Sequence, residues 1–104
     1  GTRRGATAPR RQIDQIKAVI ADAGFEVHED VPGYAGGHIV RRYGEDGNPD
    51  VDAVQIEFNA GLLMTTPRDE LIPRMKRGER PARHEANIER ARRCVEAIIA
   101  VVAA

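Results

Sequence analysis

The chain has 104 residues, with 16 Lys and Arg against 16 Asp and Glu, 41% hydrophobic and 31% charged residues. That length suits a single domain over 1–104 that buries a core without disulfides or a structural metal. Zero formal charge argues against a nucleic-acid or membrane partner, the lone Cys94 excludes an intrachain disulfide, and no apolar run of about 18 residues is long enough to span a bilayer, so the expectation is a soluble, cytoplasmic chain.

Residues 1–9 lack periodicity and read as a loop. Pro9 suits a first helical position, and Ile13, Ile16, Val19, Ile20 and Ala23 then recur at helical spacing. The spacing predicts an amphipathic helix over 10–23, stopped by Gly24. Residues 25–29 alternate apolar and polar and read as a strand. Pro32 to Gly37 is a glycine-rich loop, His38 to Tyr43 reads as a second strand, and Glu45 to Asp50, with Gly47, Asn48 and Pro49, as a turn. Residues 51–59 form the clearest strand pattern. Val54, Ile56 and Phe58 point one way there, and Gln55, Glu57 and Asn59 the other.

Residues 60–67 read as a short helical or irregular connection, and 68–83, densely charged with two prolines, as an exposed connection with one helical turn. From about 84 to 102, an apolar stripe of Ile88, Ala91, Val95, Ile98, Ile99 and Val102 marks a long helix. The order helix, strand, strand, strand, helix predicts an α/β fold, a mixed sheet flanked by helices.

Glu57 is the first candidate for chemistry, since a carboxylate on a polar wall suits a general base that positions water against a carbonyl. The same alternation also fits a half-exposed antiparallel strand. Gly36 and Gly37 allow close backbone approach to a ligand or a plain bend, and their spacing fits neither a dinucleotide loop nor a phosphate loop. Arg41 or Arg42 would face the same cleft, where a guanidinium suits bidentate capture of a carboxylate. His28, His38 and His84 lack the spacing of a metal motif, and Cys94 falls in the apolar stripe as a packed thiol. The arginine clusters are interleaved with acids, and aromatics are only 4%, so stacking platforms for nucleic acid are missing.

Three segments together resemble the N-formylglutamate amidohydrolase family. They are Pro32-Gly33-Tyr34-Ala35-Gly36-Gly37 with Arg41-Arg42-Tyr43-Gly44, Val54-Gln55-Ile56-Glu57-Phe58-Asn59, and Leu62-Leu63-Met64. The opening Gly1-Thr2-Arg3-Arg4-Gly5-Ala6-Thr7-Ala8 is similar to a further segment of that family, so the resemblance covers roughly residues 1–65. Ala60 stands where the family has Arg, Leu63 where it has Tyr, and Val31 disturbs the approach to the loop.

The resemblance implies a zinc-dependent hydrolase of a small N-acyl (formyl) acidic amino acid, with a zinc-carboxypeptidase-like fold. Glu57 would be its general base and Arg41 the partner of a substrate carboxylate, while Gly36, Gly37, Gln55 and Asn59 would line the substrate wall. It is to the C-terminal half of the family, so the zinc ligands are expected outside this chain, in an N-terminal segment or a second subunit. The alternative expectation is a non-catalytic relative that binds carboxylates or a protein partner.

Overall fold

In a computed structural model that describes residues 1–47 and 49–104, two long helices carry the core. Helix α1 spans Arg10–Asp22 and buries Ile13, Ile16 and Ile20, the residues that its periodicity selects. It ends in a Schellman turn. Ala23 caps it, Gly24 takes φ +86°, the Gly24 N–H donates to the Ala21 carbonyl (2.9 Å), and the Phe25 N–H donates to Ile20 (3.3 Å). The apolar contact that accompanies this motif is present, since Ile20 and Phe25 lie in one buried cluster.

Four short helical pieces separate α1 from the last helix. Helix α2, His38–Val40, runs directly into a π-helical turn at Arg41–Glu45, α3 is Ala60–Leu63 and α4 is Arg68–Lys76. The last helix, α5, spans Glu85–Ala103. Its start is capped by His84, whose Nδ1 accepts from the Asn87 N–H at 3.1 Å. Helices α1 and α5 pack on each other through Ile16, Ile20, Ala91, Cys94 and Ile98, with Phe25 closing one end and Val27, Val54, Phe58 and Leu63 half-buried against them.

The mixed sheet expected from the sequence is not formed: among the described residues there is no strand, and the one β-bridge, Met64 with Arg83, stands alone. Segments 25–28 and 51–59 carry no regular secondary structure, Glu29 lies in a bend, and the segments do not pair with each other. Period-two alternation specifies an extended backbone with one apolar face, and a strand needs in addition a neighbour in register. Segment 51–59 instead bonds to the opening loop, where Ala53 N–H meets the Thr7 carbonyl (2.9 Å) and Gln55 N–H the Gly1 carbonyl (3.0 Å).

The second expected strand, 38–43, is helical throughout. Val40 is 4% exposed while its neighbour Ile39 is 72% exposed, and the Asp46 N–H reaches back five residues to the Arg41 carbonyl at 2.7 Å. Local β propensity here gives way to tertiary packing of Val40 and to the turn that follows. Within the expected turn at 45–50, Asn48 lies outside the described residues.

Residues 68–83 hold more helix than one turn. Asp69 and Glu70 in the first turn and Arg74 and Lys76 in the last suit the α4 dipole, despite Pro73 inside it. Among the described residues, no helix is long and apolar enough to cross a membrane.

Candidate functional site

The opening loop is the frame on which the site rests. Thr7 is 1% and Thr2 3% exposed, and the Thr7 hydroxyl donates to the Ala53 carbonyl at 2.5 Å. From the other side Asp30 holds the same loop, accepting from the Thr2 N–H (2.6 Å), the Thr2 hydroxyl (2.8 Å) and the Arg4 N–H (2.7 Å). Partial burial opposes ionisation of Asp30, yet these three hydrogen bonds outweigh it, so its carboxyl lies below the ordinary range. Its φ of +51° is a conformation that Asp tolerates better than most residues.

Beside it, Glu29 takes both arms of the Arg10 guanidinium at 2.7 Å and Lys17 Nζ at 3.2 Å. The Arg10 hydrogen bonds chiefly bring its pKa down to about 2 against the cost of desolvation. No sequence pattern announces the Asp30 clamp, because its partners lie 26 and 28 residues away.

A cleft of about 800 Å³ opens between 25–31 and 54–62, with α1 as its floor. Gln55, Glu57 and Asn59 all line it. The Gln55 side chain organises this wall: its Oε1 accepts from the Gly37 N–H at 3.3 Å, and its Nε2 donates to Glu57 Oε1. Three sequence candidates, Gly37, Gln55 and Glu57, are thus joined in one hydrogen-bonded chain. Glu57 has its second oxygen free of protein partners among the described residues. Asn59 serves the backbone as well, capping α3 through Oδ1 to the Gly61 N–H at 2.9 Å.

The remaining candidates stand apart from the cleft. Gly36 adopts φ +115°, and a Cβ there would come within 2.7 Å of Val40 Cγ2, so a side chain is excluded by the turn itself. Arg41 sits on the π-helical turn, paired with Asp46 at 3.1 Å, both exposed. Neither residue lines the cleft. Cations that do line it are Lys17, Arg68 and Arg90, and the Arg90 guanidinium lies 4.5 Å from the centre of the Phe25 ring. Nothing in the sequence singles out Arg90.

The donor set for a metal is incomplete. Among the described residues, no three His, Cys, Asp or Glu side chains converge, although zinc sites take three or four such ligands. His28 contacts Glu26 at 2.9 Å, His84 caps α5, and Cys94 is 2% exposed in the core, where burial pushes its thiol pKa up. The residues present therefore do not fit zinc.

Comparison with protein families matches residues 1–64 to the model of N-formylglutamate amidohydrolase. No curated protein and no solved structure matches the chain. The matched segment holds the opening loop, α1, both walls and the glycine loop, and excludes α4 and α5.

Proposed function

The chain belongs to the N-formylglutamate amidohydrolase family, and from that premise we propose that it supplies the proton-handling wall of a site that hydrolyses the formyl amide of an N-formylated acidic amino acid. One observation carries the reading: Glu57 faces the cleft on a wall braced by Gln55 and Gly37. Gln55 Nε2 fixes one carboxylate oxygen and leaves the other for water. That oxygen takes the proton as the water attacks the formyl carbon and returns it to the leaving amine nitrogen, giving formate and the free amino acid. Such positioned proton transfer contributes about 100- to 10,000-fold to a rate. No step here is routed through zinc, because a zinc ion would draw its ligands from outside residues 1–104.

Arg41, paired with Asp46 outside the cleft, is not placed to hold a substrate carboxylate there; Arg68 and Arg90, which line the cleft, are the proposed partners instead.

Substrate preference tests the reading. The protein that carries this chain should release formate from N-formyl-L-glutamate faster than from N-formyl-L-leucine. Glutamate-like acids that raise Tm, with no formate released from either compound, would instead make this an acid-binding relative without hydrolytic activity.

A further inference from the structure

Glu57 lines the cleft and yet is exposed, so the site stands open, and the segment that follows the family-matched residues lies beside the opening. We propose that residues 67–81 form a strap that closes over the cleft once a ligand carboxylate engages Arg68, laying one face of α4 against Ile56 and Leu62. The inference rests on the proposed role of Arg68 and deepens it, because closure would govern how water reaches Glu57.

The strap is pinned at both feet. Around the Met64–Arg83 bridge, the Thr65 N–H donates to the Ala82 carbonyl at 2.8 Å, the His84 N–H to the Leu63 carbonyl at 2.9 Å, and the Ala82 N–H to the Thr66 hydroxyl at 2.9 Å. This neck is fixed in turn to α5, whose Asn87 Nδ2 donates to the Leu62 carbonyl at 2.7 Å. Beyond the neck the strap is tied only to itself. Among the described residues its hydrogen bonds and ion pairs are internal, as from Arg74 to Glu70 (2.6 Å) and from Arg77 to Glu79 (3.2 Å). Packing joins α1 to α5 and α3 to α5, and α4 stands outside it. A segment with firm feet and few ties between them moves as a unit at low cost.

One face of α4 fits the opening. Arg68, Leu71, Ile72 and Met75 recur at the spacing of a single helical stripe. Its first turn already reaches the cleft, which Arg68 and Leu71 line. The rest of the stripe stays in water, with Ile72 56% and Met75 50% exposed. The cleft offers the matching surface, since Ile56 and Leu62 both line it and are 38% and 36% exposed. Bringing the two together removes apolar area from water on both sides. Arg68 has no ion-pair partner among the described residues, which leaves its guanidinium for a ligand carboxylate at the edge where the strap begins. Closure after binding also gives an exposed carboxylate base the water-excluded surroundings that proton transfer to a substrate needs.

The test uses the protein that carries this chain and millimolar glutarate, a dicarboxylate with no amide to hydrolyse, with amide hydrogen exchange read residue by residue. Glutarate should slow exchange across 72–77 by about 10-fold and leave the neck amides of Thr65, Ala82 and His84 unchanged. Met75→Asp, which places a charge on the closing face at a position exposed in the open form, should lose that slowing at an unchanged melting temperature, and Arg68→Ala should lose it as well. Glu57→Gln should keep it while formate release falls. Closure without formate release would therefore remove only the hydrolase reading, and formate release without closure only the strap. Unchanged exchange across 72–77, equal slowing in Met75→Asp or Arg68→Ala, or uniform slowing along the whole chain would each overturn the proposal.

Discussion

Gln55 shows how much a single amide settles at the residue scale: it links the glycine loop to Glu57 through Gly37. Period two singled out Gln55, Glu57 and Asn59, but Val54, Ile56 and Phe58 line the same cleft and Ile56 is 38% exposed, so the alternation does not separate a polar face from an apolar one here. What it could not supply was Asp30 or Glu29, whose partners come from distant parts of the chain. Glu29 carries a pH prediction. Its carboxyl falls from an ordinary value of 4.5 to about 2 in the folded chain, so its contribution to stability is complete above about pH 4.5 and is lost as pH falls through about 2. Thermal unfolding from pH 2 to 6 should show Glu29→Gln less stable than the parent at pH 6, with the gap closing toward pH 2. A gap independent of pH would remove the ion pair with Arg10 as its source.

Among the elements, α1 and α5 were legible because a 3.6-residue period and end signals agree, and their observed bounds fall within a residue or two of those expected. The Gly24 stop is part of that agreement. Gly24→Ala leaves the site sterically open, its Cβ meeting only Arg90 Nη1 at 3.7 Å, yet it forces a left-handed conformation on a residue with a side chain. The expected loss is about 1 kcal/mol, read from denaturant unfolding; an unchanged midpoint would contradict the Schellman account. Segment 38–45 was not legible in the same way. His38 to Tyr43 is rich in β-branched and aromatic residues, and only the burial of Val40 and the Asp46 to Arg41 bond make it helical.

The whole molecule is more open than the sequence suggested. Its radius of gyration is 15.8 Å, against about 13 Å for a compact chain of this size. The α5 stripe explains part of this. Sequence spacing gathers Ile98 and Ile99 together, but α1 covers only one side of α5, leaving Ile98 7% exposed and Ile99 60% exposed. Ile98→Ala should therefore cost about 3 kcal/mol, whereas Ile99→Ala should stay within about 0.5 kcal/mol; equal losses on chemical unfolding would contradict this packing. The sheet was misread at this scale for a related reason: alternation along 25–29 and 51–59 belongs to each segment alone, while pairing is a property of two segments that neither pattern contains.

The family membership and the cleft meet at Glu57, so kinetics of formate release from N-formyl-L-glutamate by the protein carrying this chain are the most direct test. Glu57→Gln should lower kcat by about 100-fold or more with an unchanged melting temperature, while Arg68→Ala should act mainly by raising KM. Undiminished kcat in a folded Glu57→Gln protein would show that this carboxylate does not move the proton, and the proposed role of the wall would fall with it.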